Sequence, residues 1–230
     1  MLEIHDHSLR FSFPEIHPHA RLTVTFQRTL RVPDDVGSYP VPPGLGEFPL
    51  THVDEARVPK SWIARGGVIL PMYQSEALWI DFHKHFVWDH KAYYPFAVKI
   101  GTGKINAVTG QNWQGELQAD PQDYVVIPGQ TWIDGYCVAP GIVRQFVPDP
   151  IGAGLSAEEQ LTGRAKYGGL QIQVYPMKRS IFEELYPKTQ TVNDHHLAED
   201  SPQYSRKPTA GCGHDQRSVP QGRDGISLLD

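Results

Sequence analysis

From residue 62 to residue 178 the chain is a succession of short apolar runs, each closed by glycine, proline or a polar turn former. The clearest cover residues 67–71, 77–82, 96–100, 124–127, 142–147 and 169–175. Runs this short, rich in Val, Ile, Tyr and Trp, suit strands of a packed β-domain. Upstream, Arg21-Leu-Thr-Val-Thr-Phe alternates strictly, which puts Leu22, Val24 and Phe26 on one face of a strand and Arg21, Thr23 and Thr25 on the other. Such a half-buried strand belongs in an antiparallel sheet. The fold class expected is therefore all-β, an antiparallel sandwich or barrel-like domain.

At 230 residues the chain can bury one sizeable core without staples. We expect a single β-domain over residues 1–186. Residues 187–230 hold few large apolar side chains, too few to offset the entropy of ordering, so a polar, flexible tail is expected there. The net charge of −5 is spread without a basic run, which argues against nucleic acid as a partner. Only Cys137 and Cys212 occur, so no disulfide framework can be read, and a reducing, cytoplasmic setting fits. The first residues, Met1-Leu-Glu-Ile-His-Asp-His, lack the cationic start and apolar stretch of a signal peptide, and no run approaches the ~20 apolar residues of a membrane helix.

Residues 33–59 carry six prolines and three glycines, too many for regular structure. A long extended loop is expected, packed along the domain by Tyr39, Leu45, Phe48 and Leu50. Two short helices are signalled by capping boxes, in which a serine oxygen and a glutamate three residues on satisfy each other's backbone amides. These are Ser156-Ala-Glu-Glu159 and Ser180-Ile-Phe-Glu183, the second helix ending at Pro187. Glu158 and Glu159 read as ordinary first-turn helix charges.

Histidines recur at i, i+2 in His5/His7, His17/His19 and His83/His85. On a strand that spacing aims two imidazoles to one side, as chelation of a metal requires. The stretch Phe82-His-Lys-His-Phe-Val-Trp-Asp89-His90 resembles the first metal motif of the cupin barrels. That resemblance implies one divalent ion, zinc, iron, manganese or nickel, held by His83, His85 and Asp89 or His90, and a metal-dependent oxygenase or hydrolase. The chain departs from the cupin pattern where Asp89 replaces glutamate and where Trp132 stands in place of the later ligand.

A second constellation is aromatic. Trp113 lies in Gly110-Gln-Asn-Trp-Gln-Gly and Trp132 in Gln130-Thr-Trp-Ile-Asp-Gly, both flanked by amide or carboxylate groups in glycine-bearing turns. An indole face can stack on the C–H face of a sugar while Gln111, Asn112, Gln130 and Asp134 meet its hydroxyls. The leading functional expectation is thus a domain that binds a polar small molecule or glycan-like ligand through these six residues, with oligomeric state unread. Filling the ends of the core is the competing role for both rings.

Two glycine motifs point elsewhere and fall short. Gly152-Ala-Gly-Leu-Ser-Ala157 fits a dinucleotide fingerprint, but Pro148 and Pro150 interrupt the turn and no βα alternation surrounds it. Gly101-Thr-Gly-Lys104 has the wrong spacing for a phosphate loop and reads as a hairpin turn. The stretch Gly152-Ala-Gly-Leu-Ser-Ala-Glu-Glu-Gln-Leu-Thr-Gly, with Gly168-Gly-Leu-Gln-Ile-Gln-Val-Tyr-Pro-Met-Lys, resembles a family of soluble microbial proteins for which no activity is established. The resemblance extends to most of residues 22–178 and implies no chemistry.

Overall fold

A computed structural model describes residues 1–33, 37, 39–40 and 42–189. The strands are β1 (Leu2–His5), β2 (Ser8–Ser12), β3 (Arg21–Leu30), β4 (Thr51–His52), β5 (Val68–Ile69), β6 (Glu76–Lys84), β7 (Phe86–Val87) and β8 (Ala92–Tyr93). They continue as β9 (Phe96–Thr102), β10 (Ile105–Asn106), β11 (Val125–Ile127), β12 (Trp132–Ile133), β13 (Gly135–Ala139), β14 (Ile142–Gln145) and β15 (Leu170–Pro176). Three short helices, α1 (Lys60–Ile63), α2 (Ala157–Thr162) and α3 (Arg179–Leu185), complete the framework. Among the described residues no helix is long and apolar enough to cross a membrane. The expected tail, beyond Thr189, and Cys212 lie outside the described residues.

Every paired strand is antiparallel, and two sheets dominate. One runs β1-β2-β3-β6-β12. In the other, β15 pairs along all of β9, and β10 and β11 share the opposite edge of β9. Alternation decides what each sheet buries. Leu22, Val24 and Phe26 of β3 and Ile80 and Phe82 of β6 join Phe96, Val98 and Ile100 of β9 and Val125 and Ile127 of β11 in one buried apolar cluster. The two sheets therefore share a core in a sandwich-like, all-β arrangement, not a closed barrel.

The hairpin expected at residues 101–104 forms, but Gly101 and Thr102 still belong to β9 and the turn falls at its end. Thr102 pairs with Ile105, so Gly103 and Lys104 make a two-residue turn with φ of +57° and +63°. Positive φ at both positions matches the right-handed twist of the flanking strands. The proline-rich stretch attaches to β3 where β2 has ended, through Arg28 N–H to the Gly46 carbonyl at 2.7 Å and Phe48 N–H to the Phe26 carbonyl at 2.8 Å. Phe48 and Leu50 enter the core as expected, whereas Tyr39 and Leu45 stay 41% and 42% exposed.

The first capping box is present, with Ser156 and Glu159 bonded reciprocally. The second is absent. Helix α3 starts at Arg179 after an uncapped Lys178, so Ser180 lies inside the helix and Glu183 accepts from Arg179 at 2.8 Å instead. Glu158, read as a solvated helix charge, is buried and accepts hydrogen bonds from the backbone amides of Lys166, Tyr167 and Gly168 at 2.8–3.1 Å. Around the glycine fingerprint, the Gly152 and Gly154 amides donate to Glu159, so the helix's own carboxylate occupies the donors a phosphate would use.

Candidate binding site

The central strand β9 buries Phe96, Val98 and Ile100 in the sandwich core, which leaves Ala97, Lys99 and Gly101 on the opposite face. That face is covered by the chain between β10 and β11. Asn106, buried at the end of β10, folds this segment back. Its side-chain oxygen accepts from the Val108 and Thr109 amides, both at 2.9 Å, and its amide nitrogen donates to the Asp123 carbonyl at 2.7 Å. Asp123 in turn accepts the Gln118 amide at 2.9 Å. Local side-chain bonds of this kind replace ladder bonds where a strand ends.

Beneath the segment lies Lys99, fully buried at 0% exposure. Its ammonium meets Asp123 Oδ2 at 2.5 Å and donates to the Glu116 carbonyl at 2.6 Å. Trp113 closes this chamber. The indole lies so close on Gly101 that a Cβ there would come within 2.7 Å of it, and the Lys99 and Lys104 ammonium groups sit 5.1 and 5.0 Å from its ring centre. Tyr175 reaches the same segment, donating to the Gly115 carbonyl at 3.3 Å. Burial, with the Asp123 and Glu116 charges, pushes its phenol above the ordinary tyrosine range.

Above the pair the segment forms a pocket of ≈ 240 Å³. Asn106 and Asp123 make its buried floor, and Thr109, Gln111, Asn112, Gln114, Gln118 and Asp120 line its walls. The side-chain amides of Gln111, Asn112, Gln114 and Gln118 are exposed, and none is hydrogen-bonded to another described residue. Each offers two donors and two acceptor lone pairs.

The six residues expected to form one ligand site therefore divide between two places. Gln111 and Asn112 line the pocket, and Trp113 stands behind it as packing against Gly101 and the two lysines. Trp132, 56% exposed, belongs to β12 at the edge of the five-stranded sheet, opposite Asp81, with Gln130 donating to its carbonyl at 3.0 Å. Asp134 is exposed just beyond it. Neither ring is in the core. Lys99, Asn106, Gln114, Gln118 and Asp123 were not singled out by sequence reasoning, although a lysine inside the apolar run of β9 is the one visible signal.

The metal candidates do not converge either. His83 contacts Thr25 Oγ1 at 3.1 Å and Asp81 at 3.5 Å on the outer face of β6. The strand breaks at His85, whose ring stacks on His19 with centroids 5.8 Å apart. Asp89 is exposed, and His90 is buried against Phe182, its Nδ1 donating to the Tyr186 carbonyl. Among the described residues no three His, Cys, Asp or Glu side chains are gathered as a metal ion would require. The imidazoles that do meet form a row, His90, His17, His19 and His85, with successive ring centres 5.9, 5.5 and 5.8 Å apart.

No family model, curated protein or solved structure matches the chain, so the geometry alone carries the functional reading.

Proposed function

We propose that this protein is a binding module for a small, neutral, hydroxyl-rich ligand, such as a single sugar or a polyol, taken into the pocket above Lys99 and Asp123. The observation that carries this reading is the convergence on one concavity of four side-chain amides without hydrogen-bond partners among the described residues. Uncharged amides at fixed spacing match hydroxyl groups, which donate and accept at the same atom. The floor is rigid, because Asn106 and Asp123 are held by their own bonds, and rigidity lowers the entropy cost of binding. At ≈ 240 Å³ the pocket lies below the roughly 300–1,000 Å³ of drug-sized sites, which favours a ligand of one ring. A reducing, cytoplasmic setting is part of the reading, and the free thiol of Cys137 is consistent with it.

The test is a titration of common monosaccharides and polyols, followed by NMR through the side-chain amide resonances of Gln111, Asn112, Gln114 and Gln118. At least one ligand should shift these resonances saturably. Gln111→Ala and Asn112→Ala should each weaken binding about tenfold, the equivalent of one lost hydrogen bond near 1.4 kcal/mol. Binding lost instead in Trp132→Ala, with the pocket variants unaffected, would move the site to the β12 edge. No response from the whole panel would end the proposal.

A further inference from the structure

We infer that the outer face of the five-stranded sheet holds a second, separate site, which binds a small anion through phosphate or carboxylate groups. The argument starts from register. Glu3 of β1, Arg10 of β2, Thr23 of β3 and His83 of β6 face one another across four strands. In the next rung Ser12 faces Arg21. All lie opposite the face that buries Leu22 and Val24, so their side chains point away from the core. Together with His85 and Lys84 they line a cleft of ≈ 580 Å³, walled on one side by the Pro14 to Ala20 connection.

The charge of the cleft runs against that of the molecule. Arg10 and Arg21 oppose the single carboxylate of Glu3, which leaves +1 with both imidazoles neutral, on a chain whose net charge is −5. Arg10 and Arg21 are diagonal neighbours on adjacent strands, a separation of roughly 7–8 Å within reach of long side chains. Neither guanidinium is paired with a carboxylate among the described residues. Glu3, in register with Arg10, offers one carboxylate for two guanidinium groups, and a bound oxyanion offsets the remaining positive charge while accepting the planar donor forks that arginine presents. Lys84, in register with Leu22, turns its ammonium away from the outer face, over the Tyr93 ring at 4.6 Å. Burial, with His19 and the Arg21 charge, holds the His85 imidazole below the ordinary histidine range, which leaves it a neutral donor or acceptor beside the cations.

Pyrophosphate and citrate, titrated calorimetrically against sodium chloride of equal ionic strength, test the inference and separate a phosphate ligand from a polycarboxylate one. Saturable binding of either is expected, weakened at least tenfold in Arg10→Gln and in Arg21→Gln. Arg21→Lys should fall between, because it keeps the charge and loses the fork. Thr23→Glu, which places a carboxylate in the cleft without altering the core face, should abolish binding even if the arginine variants fold poorly. Gln111→Ala should leave anion binding unchanged, so failure here and failure of the amide pocket are distinguishable. The inference is overturned if neither anion binds beyond the chloride control, or if binding survives in the folded Thr23→Glu variant.

Discussion

Lys99 and Asp123 are the residues on which the pocket rests. An ammonium removed wholly from water is tolerated only when a counter-charge and further bonds compensate it, and here Asp123, the Glu116 carbonyl and the Trp113 face do so. Asp123→Ala is expected to cost about 3–5 kcal/mol in urea unfolding, because it strands a buried charge. The double replacement Lys99→Met with Asp123→Leu should cost less than that single change, and strictly additive effects would show that the pair is not coupled. Little of this was legible in the chain. Alternation places Lys99 opposite Phe96, Val98 and Ile100, where a lone sheet would meet water. What covers it is a segment folded back by Asn106, whose bond to Asp123 spans 17 residues. Gln111 and Asn112 could be found, since amides beside a glycine turn are a local pattern, whereas their convergence with Gln114 and Gln118 is not.

At the level of elements, local chemistry was readable wherever the partners lie within a few residues. The Gly103-Lys104 turn, the β3 alternation and the Ser156 cap all formed on their own signals. Ser180 failed as a cap because the helix began one residue earlier, at Arg179, and Glu183 found an i, i+4 partner there. Glu158 shows the other limit, since a first-turn carboxylate looks the same in sequence whether it faces water or a loop. Its carboxylate gathers three successive backbone amides, and it packs so tightly on the hairpin that a Cβ at Gly103 would come within 2.6 Å of its own. Glu158→Ala should therefore cost on the order of 3 kcal/mol by leaving those donors unsatisfied, against about 1 kcal/mol for loss of the cap in Ser156→Ala. Hydrogen exchange at Lys166, Tyr167 and Gly168 should accelerate in the first variant and not in the second. Equal protection in both would mean that the carboxylate is not the anchor.

Across the whole molecule, the row of four imidazoles joins the edge of the cationic cleft at His85 to the underside of α3, where His17 and His90 pack on Phe182. His17 accepts the His19 amide on Nδ1, a bond that requires this nitrogen unprotonated. Burial first, then His19, His90 and Arg179, lowers the His17 pKa from 6.5, and burial, His19 and Arg21 lower that of His85. A base whose folded-state pKa lies below its unfolded value binds fewer protons in the native state, so it contributes stability above pH 6.5 that is lost as pH falls through the folded value. Carboxylates do not oppose this trend in the same window. Glu76, bonded to Arg28 and the Tyr73 amide, is held below 4.5 and loses its contribution only in stronger acid. The thermal midpoint should thus decline as pH falls below 6.5, before the acid transition of the carboxylates. In a His17→Gln, His85→Gln double variant that decline should flatten, since neither position then takes up a proton on unfolding. A slope unchanged in the double variant would place the pH dependence outside the imidazole row.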